Sequence, residues 1–200
     1  GRKPNSFNIG LESTRIETDE NGFIKVDEGF QTAEPSIFAI GDVIGGAMLA
    51  HKASAEAKAV VKNLSGGISN QNLGCVPAVI FTDPEIAWCG LTETEAKKQD
   101  RKVHVAKFPW GASGRAQTLG RPEGVTKLII DLETEKILGM GISGTGAGEL
   151  IGEGVLAVDY GLKADDLAHS IHPHPTLSET IMESAEVFYG KATHIYKKPR

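Results

Sequence analysis

The sequence predicts an α+β fold in two parts, residues 1–72 and residues 73–200, from three observations. Short apolar runs of strand length gather between residues 76 and 143, whereas helical periodicity governs most of the chain from residue 148 onward. Strands grouped first and helices grouped late indicate α+β rather than a βαβ repeat. Between the parts lies Ser65-Gly66-Gly67-Ile68-Ser69-Asn70-Gln71-Asn72, a Gly/Ser/Asn stretch of the kind that separates domains.

In the first part, residues 23–26 alternate as a short strand after the Asn21-Gly22 turn. Ser36-Ile37-Phe38-Ala39-Ile40, preceded by Pro35 and stopped by Gly41-Asp42, suits a buried strand. Gly45-Gly46 loosens the backbone, and residues 48–64 then read as a helix with Leu49, Lys52, Ala53, Glu56, Ala57, Val60, Val61 and Leu64 on one face. Strand, Gly-Asp, glycine loop and helix in that order can bring a helix N-terminus to an electron-rich ligand, or can simply turn a strand into a helix.

In the second part, residues 76–81 form a strand that Thr82-Asp83-Pro84-Glu85 turns. Thr92 and Glu95 have capping-box spacing and open a short helix to residue 99. Further strands fall at residues 103–108, 126–131 and 137–143, with turns at Pro122-Glu123-Gly124 and Thr134-Glu135. Residues 148–160 are helical and end at Gly161 as a left-handed cap, and residues 164–168 make a short helix. The last helix starts near Leu177, stacks Leu177, Ile181, Met182, Ala185 and Phe188 on one face, and ends at Gly190.

Composition narrows the function. Apolar residues at 40% and charged residues at 24% are ordinary for a globular protein. A net charge of −5 argues against nucleic acid, and the one basic cluster, Lys197-Lys198-Pro199-Arg200, reads as a solvated end. No apolar run approaches the roughly 20 residues of a membrane span. Cys75 and Cys89 stand in apolar contexts without metal or redox spacing, so two buried free thiols in a cytoplasmic protein are expected.

The chemistry concentrates in His172-Pro173-His174-Pro175-Thr176-Leu177-Ser178-Glu179. A carboxylate at Glu179 could accept one imidazole N–H of His174, fix its tautomer and raise the basicity of the other nitrogen, as a general acid/base requires. On spacing alone the alternative stands beside it: Thr176-x-x-Glu179 also fits a helix capping box. A metal site from His172, His174 and Glu179 is permitted by His-x-His spacing, but two prolines and one carboxylate make a poor ligand set.

This octapeptide resembles the C-terminal active-site motif of the flavin disulfide reductases, and within them the branch that oxidises dihydrolipoyl groups. The resemblance implies that His174 is the acid/base for the substrate dithiol and that Glu179 orients it, with no chemistry assigned to His172. Glutathione reductase has a similar motif, although the preceding His-Pro and Leu177 are closer to the lipoamide branch. Residues 32–53, with Gly41-Asp42 and Met48-Leu49-Ala50-His51, resemble the second FAD motif of the same family. That likeness implies that Asp42 bonds the ribityl chain and that the backbone of Met48, Leu49, Ala50 and His51 lies along the flavin. Gly1-Arg2-Lys3-Pro4-Asn5 resembles the close of the nicotinamide domain, where the glycine, here Gly1, lets the backbone approach NAD. Residues 79–87 and 108–116 resemble the family's dimerisation domain.

Taken together, the resemblance implies the end of the NAD domain and an FAD-contacting segment in residues 1–72, and an antiparallel-sheet dimerisation domain in residues 73–200. It implies FAD and NAD as cofactors, a homodimer, the acyltransferase core of a 2-oxo acid dehydrogenase complex as partner, and a lipoyl domain as substrate. The chain begins with glycine and lacks both a redox Cys pair and a Gly-x-Gly-x-x-Gly turn following a strand. It is therefore expected to be the C-terminal portion of a longer enzyme. The competing expectation is a non-catalytic dimerisation and docking module.

Overall fold

A computed structural model describes residues 2–69 and 71–195, so Gly1 and the basic cluster at residues 197–200 lie outside the described residues. The chain divides into two compact units at Gly74 and Cys75.

The first unit is built from turns rather than strands. The strands expected at residues 23–26 and 36–40 are reduced to single antiparallel bridges, Thr18 with Ile24 and Gln31 with Phe38. Aspartates compete for the backbone beside both bridges. Asp19 Oδ1 accepts the Asn21 and Phe23 N–H groups at 2.9 Å, and Asp27 Oδ1 accepts those of Gly29 and Gln31 at 2.8 and 2.9 Å. Such side-chain acceptors offer the backbone an alternative to a ladder. One helix, α1 (Ala50–Leu64), follows a 3-10 turn at Gly41–Ile44. Its apolar face is only partly turned inward: Glu56 and Ala59 are buried, whereas Val61 and Leu64 are exposed.

The second unit carries β1 (Ala78–Ile80), β2 (Ile86–Gly90), α2 (Glu93–Lys98), β3 (Val103–Pro109), α3 (Gly114–Thr118), β4 (Val125–Asp131), β5 (Ile137–Ser143), α4 (Ala147–Asp159), α5 (Ala164–His169) and α6 (Glu179–Tyr189). The strands form one antiparallel sheet in the order β1-β2-β5-β4-β3. Strand β2 and helix α3 were not expected. Ile86-Ala87-Trp88-Cys89-Gly90 shows no apolar/polar alternation, and its place beside β5 appears only through pairs such as Ala87 with Ile142 and Cys89 with Met140. Thr92 and Glu95 do form a reciprocal capping box at α2, and Gly161 and Gly190 take left-handed conformations after α4 and α6.

Ala106 and Phe108 on β3 pair with Leu128 and Thr126 on β4, which pair with Met140 and Ile142 on β5, so all six share one face with Ala87 and Cys89. Helix α4 covers that face with Ile151 and Ala157, and α6 with Ile181 and Ala185. Each fully buried large aliphatic or aromatic side chain contributes about 1.5–3 kcal/mol. Gly154 lets α4 approach, because a Cβ there would lie 2.8 Å from Met140 Sδ and 3.0 Å from Cys89 Sγ.

A polar chain pins α6 to the sheet. Trp110 Nε1 donates to Thr126 Oγ1 at 2.9 Å, Thr126 Oγ1 meets Thr180 Oγ1 at 2.8 Å, and Thr180 Oγ1 donates to the Leu177 carbonyl at 2.7 Å. Trp110, Thr126 and Thr180 are fully buried, and each of these donors is satisfied. Thr180 follows Glu179 directly, so this chain also fixes where the predicted carboxylate stands.

Candidate functional site

His174 lies in the loop between α5 and α6, and Glu179 is the first residue of α6. His174 Nδ1 is 2.9 Å from Glu179 Oε1, with the imidazole 71% exposed and the carboxylate 18% exposed. The second oxygen, Oε2, accepts the Thr176 N–H at 2.8 Å. Thr176 Oγ1 does not return the capping bond; it donates to the Pro173 carbonyl at 2.7 Å and meets Ser178 Oγ at 2.8 Å. Glu179 therefore serves the backbone and the imidazole at once, and the two interpretations of the spacing coexist. With Nδ1 turned to the carboxylate, Nε2 is the nitrogen left to exchange a proton. Desolvation pushes the Glu179 carboxyl upward, yet the Thr176 N–H and the His174 ring outweigh it and hold the group below the usual carboxylate range.

His172 points elsewhere. Its Nε2 is 2.9 Å from Glu153 Oε1 on α4 and its Nδ1 is 2.9 Å from the Ser170 carbonyl, with the ring largely buried. It ties the loop to α4 instead of joining His174. Among the described residues, no three His, Cys, Asp or Glu groups are arranged to hold a metal ion.

In the first unit, Asp42 sits on the 3-10 turn, and Met48 and Leu49 lead into α1, whose first residues are Ala50 and His51. Arg2 brings these together: its guanidinium donates to the Met48 carbonyl and lies 3.6 Å from the Asp42 carboxylate. Leu49 caps α1 with no side-chain hydrogen bond. Beneath the turn, Glu56 Oε2 accepts the Gly41 N–H at 2.6 Å and Glu56 Oε1 pairs with Lys52, a buried brace that sequence reasoning placed on an apolar face. Its signal was the charged Lys52/Glu56 pair at i, i+4 within that face.

The cleft at His174 measures about 170 Å³ and is lined also by Phe108, Ser113, Gln117, Glu183 and His194. Glu183 and His194 form a second carboxylate–imidazole pair that sequence reasoning missed. The available signal was the placement of Glu179, Glu183 and Glu186 on one stripe of the last helix. A larger groove of about 280 Å³ is lined chiefly by apolar residues of β2, β4 and β5, including Ile86, Trp88 and Ile129. The two thiols lack thiolate character. Burial pushes Cys89 up to about 12, and burial also raises Cys75. The Gly139-x-Gly141-x-x-Gly144 spacing runs through β5, with Gly139 and Gly141 paired into the ladder, so it makes no phosphate-binding turn.

Residues 76–185 match the family described as pyridine nucleotide-disulphide oxidoreductase, dimerisation domain, and residues 1–57 match pyridine nucleotide-disulphide oxidoreductase. The chain is 45% identical over 195 residues to the mitochondrial dihydrolipoyl dehydrogenase of Dictyostelium discoideum, covering 98% of this chain and 40% of that protein. It is 48% identical over 198 residues to the dihydrolipoyl dehydrogenase of Buchnera aphidicola, covering 99% and 42%. Among solved structures, LpdA from Mycobacterium tuberculosis superposes with a TM-score of 0.87 at 28% identity, covering 94% of this chain and 41% of that one. The chain thus spans about 40% of the length of the curated relatives it matches.

Proposed function

The chain belongs to the pyridine nucleotide-disulphide oxidoreductases, and from that membership we propose that it is the C-terminal part of a dihydrolipoyl dehydrogenase. The overall reaction is dihydrolipoyl group plus NAD⁺ giving lipoyl group, NADH and a proton. The observation that carries the residue roles is the 2.9 Å approach of His174 Nδ1 to Glu179. His174 Nε2 accepts the S–H proton of the substrate dithiol, and the sulfur becomes the thiolate that attacks a redox disulfide supplied from outside this chain. Glu179 holds the ring and stabilises the imidazolium that results. Neither cysteine here supplies that disulfide, since burial pushes the Cys89 thiol up to about 12 and raises Cys75 as well.

FAD, when bound, supplies the electron relay between the dithiol and NAD⁺. The residues present fit it. Asp42 presents a half-exposed carboxylate able to accept a ribityl hydroxyl, and the start of α1 presents backbone N–H groups that no capping side chain takes. Asp42, Met48, Leu49, Ala50 and His51 would hold the flavin, and Gly1 would approach NAD.

Residues 76–185 pair two copies of the enzyme. Support comes from the exposed apolar side chains Phe81, Leu156, Tyr160 and Ile171 in this unit. In the homodimer, His174 and Glu179 serve the disulfide of the partner subunit. The lipoyl domain is the substrate carrier, and the acyltransferase core of a 2-oxo acid dehydrogenase complex is the assembly partner. No helix among the described residues is long and apolar enough to cross a membrane. The unbridged cysteines fit a cytoplasmic setting.

In the complete enzyme, His174→Ala should reduce turnover about 10²–10⁴-fold, and Glu179→Gln should reduce it less. Flavin content should be unchanged in both. A subunit carrying His174→Ala, mixed with a subunit whose redox cysteines are replaced, should restore one working site of two. Verified subunit exchange with no return of activity would overturn the shared site.

A further inference from the structure

Helix α6 carries Glu179, Glu183 and Glu186 at i, i+4 and i+7, along one stripe. Histidines approach that stripe from both ends. His174 comes from the loop before the helix and bonds Glu179. His194 comes from the segment after it. Its Nδ1 meets Glu183 Oε1, and its backbone N–H donates to Glu183 Oε2 at 3.4 Å. Glu183 is buried while the His194 ring is half exposed, and both pairs face the same cleft.

A carboxylate buried beside a reacting site needs a counter-charge, because removal from water disfavours the charged form. His194 is placed to supply it. The Glu183 hydrogen bond holds the His194 imidazole above its ordinary range, with Glu179 and Glu186 adding to the effect against burial. Burial raises the Glu186 carboxyl, with Glu183 next in effect, and its Oε2 has no hydrogen-bond partner among the described residues.

We propose that Glu183–His194 is a charge-compensating positioning pair for the His174–Glu179 dyad: His194 cancels the charge that Glu183 brings into the cleft, so His174 responds to Glu179 alone. The proposal rests on the reading of His174 as the acid/base. In this role the pair acts through the His174–Glu179 dyad. Charged and titratable groups on the elements packed around α6 meet its C-terminal end or groups off the helix: Glu135 accepts from Tyr189 Oη at 2.9 Å, and Asp166 accepts the Lys163 N–H at 2.7 Å. On β3, His104 stacks edge-on against Phe188 and Lys107 reaches Glu93; on β4, Lys127 bonds Glu93; on α5, Asp165 pairs with His169.

The test is the pH profile of kcat/KM for dihydrolipoamide oxidation by the complete, flavin-loaded enzyme. His194→Asn leaves Glu183 uncompensated, and the extra negative charge favours the protonated, inactive acceptor. The acid limb should move to higher pH by about half a unit or more. Glu183→Gln leaves His194 without its carboxylate and should move the limb toward lower pH. The double variant should return it to the wild-type position.

An unmoved limb in His194→Asn, a limb that Glu183→Gln leaves unmoved or shifts upward, or a double variant that retains the single variant's shift would each overturn the pair's role. His174→Gln runs alongside. If it is inactive while the limb stays fixed in the other variants, only the positioning pair fails. If it keeps wild-type turnover, the acid/base reading fails and takes the pair with it.

Discussion

Residues 2–69 and 71–74 contribute Ile24, Phe30, Ala39 and Ala59 to the buried apolar set, whereas residues 75–195 contribute a contiguous core from Ala87 to Ala185. The first unit replaces a core with local polar bonds: Asp19 and Asp27 holding turns, and Glu56 bracing Gly41 and Lys52. The second closes an antiparallel sheet under α4 and α6, and the buried Thr126–Thr180 contact registers α6 on it. The first unit thus has few buried apolar side chains to hold it, whereas the second has a core of its own.

The largest test of that contrast is to separate the units. Residues 75–200 alone should show one cooperative thermal transition, and residues 1–74 alone should show none. A sigmoidal melt from the shorter piece would break the comparison.

Substitutions within the complete enzyme come next. Trp110→Ala should cost about 3–5 kcal/mol in urea unfolding, by emptying a site against which Gly124 and Gly144 pack. Glu56→Ala, which strands Lys52 and the Gly41 N–H, should cost about 3 kcal/mol and also lower flavin content. If Trp110→Ala lowered flavin content as much as Glu56→Ala does, the division of labour would be wrong.

A smaller effect concerns alkali. Burial lifts the Cys89 thiol to about 12, and burial with the Glu135 hydrogen bond lifts the Tyr189 phenol to about 12. Groups raised on folding contribute stability that is complete below their unfolded values, about 8.5 and 10, and is lost as pH rises toward the folded ones. The melting temperature of residues 75–200 should therefore fall steadily from about pH 8.5 to pH 12, and Cys89→Ala should flatten the first part of that slope. An equally steep fall in Cys89→Ala would assign the effect elsewhere.

Where the sequence could be read and where it could not follows the same division. The capping box at Thr92, the glycine stops at Gly161 and Gly190, and strands β3, β4 and β5 were legible because short-range patterns dictate them. The expected strand at residues 23–26 was cut short where Asp19 captured the Phe23 N–H, and the bridge from Gln31 to Phe38 stayed single where Asp27 captured the Gln31 N–H, a competition that hydrophobic alternation does not register. Strand β2 was hidden because its outward positions, Ile86 and Trp88, are apolar as well, so burial alternates along it but hydropathy does not. At the site, His174 and Glu179 were visible as a local string. Glu183 and His194 were not, since eleven residues and a helix end separate them.

The chain of donors from Trp110 through Thr126 and Thr180 to the Leu177 carbonyl runs in one direction, with every link satisfied. Sliding α6 by a turn, or rotating it by one residue, would break the Thr126–Thr180 link in a place water does not reach. The helix consequently has one seating, and Glu179 inherits it. Drift at Thr126 or Thr180 would thus be felt as loss of aim at the imidazole before loss of fold.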